Sequence, residues 1–146
     1  MIAVDTNILV YGHRRDSPWF DAASALLRRL AEGRETWAIP WPCIYEFLAI
    51  STHPRVYKPP TPMPYALNQV QIWMESPSLR LIGELEDHWS ELARILATAR
   101  IHGGAVHDAR IAAICVEHGI RELWTADRDF QRFPGVRTVN PLVRQA

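Results

Sequence analysis

Near its start the chain alternates short apolar runs with apolar residues at helical spacing. The run Ile2–Val4 predicts a buried strand, and the apolar residues 8–10 that follow it predict the entry into a helix. Ser17-Pro18 is typical of a helix start, with Ser as the N-cap and Pro as the first helical residue. Apolar residues then recur at roughly helical spacing, which predicts a helix over 18–32 that ends before Gly33.

The rest of the chain continues this alternation of strands and helices. The same criteria predict strands at residues 37–39, 79–82, 122–125 and 137–139, and helices at 42–50, 65–75, 87–101 and 106–118. Five of the eleven prolines fall within residues 53–64, which predicts a surface loop inside one domain. The order β-α-β-α-α-β-α-α-β-β predicts an α/β protein, a three-layer α/β/α sandwich with a mainly parallel sheet.

Tryptophan is frequent, and its positions add to the predicted core. The six tryptophans are expected mostly in the interior, because large aromatic side chains at strand or helical spacing are usually buried. For Trp19 and Trp73 a contact with a partner or a second copy is an alternative. The inner face predicted for the helix at 87–101 consists of Trp89, Leu92, Ala93, Leu96 and Ala99.

Length and composition narrow the class of protein. A chain of 146 residues fits a single domain over residues 1–146, and 48% hydrophobic with 22% charged residues excludes a disordered or fibrous chain. The apolar runs are far shorter than the ~20 residues that cross a bilayer, and the N-terminus lacks a secretion signal. We therefore expect a cytoplasmic protein with no membrane segment, in which Cys43 and Cys115 are reduced, buried thiols.

The charge balance argues against a protein that coats nucleic acid. Sixteen basic and sixteen acidic residues cancel to a net charge of zero. Fifteen of the sixteen basic residues are arginine, which binds phosphate oxygens better than lysine does. Codon use in a GC-rich genome explains that bias equally well.

Two acidic residues follow predicted strands directly. Asp5 comes after the first strand and Asp127 after the strand at 122–125, so both are expected at the edge of the sheet where α/β proteins bind ligands. The alternative for Asp5 is a role as the cap of the helix that follows it. The neighbouring Asp129 is interpreted as a turn or cap residue.

Two further acidic residues lie in apolar helices. Glu46 interrupts the apolar helix at 42–50, where an ionised carboxylate is costly to bury unless it is paired or bound to a cation. Asp108 lies at the start of the buried helix at 106–118, where the helix dipole favours an anion. An exposed helix face for Glu46 and helix capping for Asp108 are the alternatives.

If these four acids converge, their combined charge requires a cation. Oxygen ligands without a His or Cys cluster suit Mg²⁺ or Mn²⁺, whereas zinc would require more than the isolated pair Cys115 and His118. Such an ion can polarise a phosphoryl oxygen, activate water and neutralise a leaving oxygen. The pattern therefore indicates phosphodiester hydrolysis.

Four motifs resemble those of one family. They are V-D-T-N-I-L at residues 4–9, the helix with Glu46, H-D-A-R-I-A-A at 107–113 and L-W-T-A-D-R-D-F at 123–130. Together, and in this order, they resemble the PIN domain, most closely the VapC type, the toxin of a type II toxin-antitoxin pair. The resemblance extends from residue 1 to about residue 141.

The resemblance implies an Mg²⁺- or Mn²⁺-dependent endoribonuclease that cleaves RNA and is usually a homodimer. It also implies inhibition by a VapB-like antitoxin whose C-terminal segment approaches the acidic pocket. Asp5 and Asp108 match the direct metal ligands, Glu46 the acid that completes the site and Asp127 the fourth carboxylate. The positions that orient ligands or water are matched by Thr6, Asn7 and Thr125.

Two other functions compete with this one. An aspartyl-phosphate phosphatase would need a second Asp where Asn7 stands and a lysine near the phosphate, but Lys58 lies in the proline-rich loop. A non-catalytic PIN-like binding module is the stronger alternative: its acidic cleft would capture a basic partner segment without requiring a metal.

Overall fold

The structure is a computed structural model and describes residues 1–143. Its strands are β1 (Ile2–Val4), β2 (Trp37–Pro40), β3 (Leu79–Ile82), β4 (Glu122–Trp124) and β5 (Thr138–Val139). Its helices are α1 (Thr6–His13), α2 (Phe20–Glu32), α3 (Trp41–Ser51), α4 (Met63–Met74), α5 (His88–Thr98) and α6 (Ala105–Glu117), with a 3₁₀ helix at Arg128–Arg132. Within residues 1–143 no helix is both long and apolar enough to cross a membrane.

The five strands form one sheet in the order β3-β2-β1-β4-β5. Each of the four described pairings is parallel, which confirms the predicted sheet and α/β sandwich. Every residue of β1 and β2 is buried, as expected for strands covered on both faces. Because the strands are parallel, the carboxyl ends of β1, β2 and β4 meet at one edge of the sheet.

The helices pack in pairs beside the sheet. Helix α1 packs against α2 and α3, and α5 packs against α6. Gly12 permits the close approach of α1 to α2, since a Cβ atom at this position would lie 2.5 Å from Leu27 Cδ1. Phe47 of α3 is fully buried, with its ring centroid 4.7 Å from that of Trp73 and 5.2 Å from that of His13.

The predicted elements differ most from the structure at three places, while the other ends shift by at most two residues. Two helices, α1 and α2, lie between β1 and β2 where the predicted order has one, and α2 begins at Phe20 instead of residue 18. Ser17 is therefore not the N-cap; its hydroxyl accepts a hydrogen bond from the Trp19 N–H in the turn that precedes the helix. Helix α5 ends at Thr98, before a left-handed turn at Arg100 (φ 54°), and not at the predicted residue 101.

The tryptophan prediction is wrong for half of these residues. Trp89 is 74% exposed, and Trp19 and Trp41 are exposed as well. Trp89 lies in the first turn of α5, a helix whose one fully buried side chain is Ile95, so the inner face does not extend that far. Trp73 is buried in the core, which excludes the alternative of a partner contact for it.

Candidate active site

Asp5 lies between β1 and α1, and its carboxylate is almost completely buried. Asp5 is the N-cap residue of α1 by position, but its side chain makes no capping hydrogen bond, so capping does not explain the buried carboxylate. Its Oδ2 accepts a hydrogen bond of 2.7 Å from the Thr125 hydroxyl and one of 3.4 Å from Asn7 Nδ2. The Cys43 thiol donates to its Oδ1 at 3.6 Å. The side chain is thus fixed by contacts from three separate segments.

The environment of Asp5 disfavours its negative charge. The pKa of Asp5 is raised from 3.8 to about 6, mainly by burial and also by the charge of Glu46, against the lowering effect of the Thr125 hydrogen bond. A buried carboxylate of this kind is stabilised in its ionised form when a cation binds next to it. Asp5 therefore has the property expected of a residue that binds a metal ion.

Glu46 faces the start of α1 and not an exposed stripe of α3. The Thr6 hydroxyl donates a hydrogen bond of 2.7 Å to its Oε2, and the side chain is half-buried. Thr6 is itself buried directly after Asp5. The contact therefore joins α3 to the end of β1 and orients Glu46 beside Asp5.

Asp108 and Asp127 line the same cavity as Asp5 and Glu46. Asp108 lies in the first turn of α6, but the N-cap residue of this helix is Gly104, so Asp108 is not its cap. Burial raises the pKa of Asp108, and the negative charges of Asp127 and Glu46 add to this effect. Asp127 does have a capping role, because its Oδ1 accepts a hydrogen bond of 2.9 Å from the Asp129 N–H.

Asn7 and Thr125 connect the two strand ends. The Asn7 side chain donates to the Thr125 hydroxyl at 3.2 Å, and its Oδ1 accepts from the Ala126 N–H at 3.1 Å. The Thr125 oxygen also accepts from the Asp127 N–H at 3.0 Å. The predicted orienting residues therefore contact the acids: Thr6 contacts Glu46, while Asn7 and Thr125 contact Asp5.

The four acids line one cavity of about 300 Å³ at the carboxyl edge of the sheet. Its lining contains no Lys, Arg or His among the residues that the structure describes: Asp5, Thr6, Asn7, Val10, Tyr11, Glu46, Ile50, Tyr57, Asp108, Asp127 and Phe130. In residues 1–143 no three Asp, Glu, His or Cys side chains already form a ligand set around one point. Mutual repulsion between the carboxylates favours larger distances between them.

Sequence reasoning missed Cys43 as part of this site. Its thiol contacts Asp5, and burial together with the charge of Asp5 raises the pKa of Cys43 well above its usual value. The thiol therefore stays protonated and acts as a donor. The signal was present, because Cys43 precedes Glu46 by three residues and so shares a helix face with it.

Sequence reasoning also missed Tyr57, which belongs to the proline-rich loop and lines the acidic cavity. Arg14 holds that loop: its guanidinium carbon lies 4.3 Å from the centre of the Tyr57 ring. Arg14 also donates to the Pro59 carbonyl at 3.0 Å and to the Thr61 hydroxyl at 3.2 Å. Neither a strand end nor a helical period connects Arg14 with this loop in the sequence, so the contact between them had no signal there.

The fold and this cavity define the class of protein: an α/β/α sandwich with carboxylates gathered at the carboxyl edge of a parallel sheet. Residues 2–136 match the family described as PIN domain, and the chain belongs to this family. Ribonuclease VapC48 of Mycobacterium tuberculosis is 31% identical to it over 137 residues, which cover 94% of each chain. The resemblance to VapC-type PIN domains is thereby confirmed.

Solved structures share the fold. VapBC2 from Rickettsia felis, bound to a DNA fragment from its promoter, has a TM-score of 0.68 at 21% identity and covers 95% of this chain and 98% of that one. VapC20 of Mycobacterium tuberculosis, described as a Sarcin-Ricin loop cleaving toxin, has a TM-score of 0.66 at 18% identity. It covers 94% of this chain and 99% of that one.

Proposed function

We propose that the protein is an endoribonuclease toxin of the VapC type that hydrolyses RNA phosphodiester bonds with Mg²⁺ or Mn²⁺. One observation carries this proposal: four carboxylates from four separate segments line one cavity that has no basic lining residue among those described. Its relatives support RNA as the substrate, since VapC48 is named a ribonuclease. The proposed ligands and catalytic residues are Asp5, Glu46, Asp108 and Asp127.

The donor set fits a hard divalent cation. Carboxylate oxygens are the preferred ligands of Mg²⁺ and Mn²⁺, and a polyanionic substrate cannot approach ionised carboxylates unless their charge is offset. When bound, the ion would lower the pKa of an attacking water and neutralise charge on the leaving oxygen. The chain's own part is orientation: Thr125 holds Asp5, and Thr6 holds Glu46.

Metal removal tests this proposal. We expect RNA cleavage to stop in EDTA and to return on addition of Mg²⁺ or Mn²⁺. We also expect saturating Mg²⁺ to raise the melting temperature, because an ion at about 100 times its Kd stabilises the fold by about 2.7 kcal/mol. Cleavage that continues unchanged in EDTA contradicts the metal mechanism. Binding of a basic peptide without any cleavage of RNA supports the non-catalytic module instead.

We also propose a VapB-like antitoxin as the partner. A solved structure of the same fold, from Klebsiella pneumoniae, is described as a toxin-antitoxin complex, and the cavity here is acidic. Arginines of the antitoxin are expected to contact Asp5, Glu46 and Asp108 in place of the metal. An Arg→Ala series in the partner is expected to include at least one variant that binds about 30-fold more weakly by calorimetry. An unchanged affinity throughout the series contradicts this contact.

The proposal has three further parts, which concern the number of domains, the oligomeric state and the location of the protein. Residues 1–146 form a single domain, supported by the pairing of β4, late in the chain, with β1 at its start. The resemblance to VapC toxins supports a homodimer and a cytoplasmic location, where RNA is the substrate. Sedimentation of the purified chain tests the dimer.

A further inference from the structure

Helix α3 exposes an aromatic pair directly beside the acidic cavity. Trp41 and Tyr45 lie one turn apart, and their ring centroids are 6.1 Å apart with an interplanar angle of 30°, so the rings are stacked. Tyr45 is 58% exposed and Trp41 is 36% exposed. Stacking fixes the orientation of the pair and leaves a large part of the Tyr45 ring open to solvent.

A second, smaller cavity joins this pair to the proposed catalytic acids. It measures about 130 Å³ and is lined by Pro42, Tyr45, Glu46, His107 and Arg110. Glu46 lines both cavities, and His107 immediately precedes Asp108 of the acidic one. A strand whose scissile phosphate lies at the acids would therefore place a neighbouring nucleotide against Tyr45.

Within the described part of the chain, the smaller cavity, unlike the acidic one, has basic residues in its lining beside Glu46. Arg110 and His107 line the smaller one, whereas the acidic cavity has no basic residue in its described lining. Arg110 pairs with Glu84 at 2.6 Å, and its side chain is 38% exposed. An arginine fork has five N–H donors, so one carboxylate partner leaves donors for a phosphate oxygen.

We propose that Tyr45, supported by Trp41, stacks an unpaired RNA base next to the scissile bond while Arg110 binds the adjacent phosphate. Single-stranded RNA is recognised in this way elsewhere, by bases stacked on aromatic rings and phosphates held by arginine. The basic side chains and the continuity with the acidic cavity favour RNA over a protein segment as the occupant. The inference rests on the proposed ribonuclease function and adds a substrate subsite to it.

The test compares Tyr45→Ala with Tyr65→Ala, a matched control on α4, where Tyr65 is 67% exposed and lines neither cavity. Both changes are made in the Asp5→Asn background, and binding of a fluorescein-labelled single-stranded RNA pool is followed by anisotropy. Loss of one stacked base is expected to weaken binding about 5- to 150-fold for Tyr45→Ala, with Tyr45→Phe within about twofold of the parent. Tyr65→Ala is expected to bind like the parent.

Arg110→Gln provides an independent measurement. Loss of one phosphate contact is expected to reduce the slope of log affinity against log salt concentration by about 0.7. Equal RNA affinity of Tyr45→Ala and Tyr65→Ala overturns the stacking subsite, and an unchanged slope for Arg110→Gln overturns the phosphate contact. If Tyr45→Ala fails to fold, the Arg110→Gln slope decides alone.

Failure of the subsite can be distinguished from failure of the proposed function. If the wild-type protein cleaves RNA and Tyr45→Ala binds RNA as tightly as its parent, the proposed function stands and the subsite is overturned. If the wild-type protein does not cleave RNA, both the proposed function and the subsite are overturned. If Tyr45→Ala leaves RNA binding intact but weakens self-association in sedimentation, the aromatic pair belongs to an interface between copies, and the RNA subsite is overturned.

Discussion

Replacement of Asp5 by Asn is expected to lower RNA cleavage more than 100-fold without lowering the melting temperature in metal-free buffer. Loss of a residue that only orients a metal ligand typically costs about 10- to 100-fold in metal affinity or activity, and loss of a ligand itself exceeds that range. Asn has nearly the same shape, and its amide oxygen can still accept the hydrogen bond that Thr125 donates. The substitution therefore removes the charge and, besides it, only the weak hydrogen bond that the Cys43 thiol donates to Oδ1.

Stability is expected to rise because the buried charge destabilises the fold. The pKa of Asp5 is raised from 3.8 to about 6, mainly by burial. A carboxyl group with a raised pKa contributes stability below its unfolded pKa and loses it as the pH rises through about 6. At neutral pH, removal of this charge is expected to increase the free energy of unfolding by up to about 3 kcal/mol. Thermal melts of both proteins in EDTA measure the difference.

Asp129→Asn is the matched control for this experiment. Asp129 belongs to the same motif as Asp127, but its side chain is exposed and does not line the acidic cavity. This variant is expected to cleave RNA within a few-fold of wild type. Cleavage by Asp5→Asn at the wild-type rate, or a melting temperature in EDTA well below wild type, contradicts the role assigned to Asp5.

The central strands β1 and β2 were predictable from the sequence because every residue in them is buried. A continuous apolar run such as Ile2–Val4 leaves little ambiguity, and the predicted bounds of β3 are those observed. Helix ends were less predictable, because local polar contacts compete there. The Ser17 hydroxyl can cap a helix or bond within a turn, and only the path of the following residues determines which contact forms.

The position of the acids at the sheet edge was predictable from the parallel strands, but the other residues that line the cavity were not. A parallel sheet brings every strand end to one edge, so Asp5 and Asp127 meet although they are far apart in the chain. Tyr57 reaches the same cavity only through the path of a loop held by Arg14, which no periodicity encodes. The exposure of Trp41 was not predictable either, because an apolar residue in an apolar helix is interpreted as part of the core.

Phe47→Ala is expected to have the largest effect on stability, a loss of about 3–5 kcal/mol. The Phe47 ring is fully buried and packs edge-on against both Trp73 and His13, so its removal leaves a cavity between α3, α4 and α1. Domains of this kind have free energies of unfolding of about 5–15 kcal/mol, so the variant loses a large fraction of the total. Urea denaturation measures this loss.

The functional consequence follows from the preceding residue in the chain, Glu46. Phe47 anchors the helix that carries Glu46, so a loosened α3 also weakens the contact between Thr6 and Glu46. We therefore expect Phe47→Ala to lose RNA cleavage at temperatures below its own unfolding transition. Tyr65→Ala removes an aromatic ring of similar size from the surface and is expected to change stability by less than about 0.5 kcal/mol. If both variants unfold at the same urea concentration, the packing described for Phe47 does not stabilise the site.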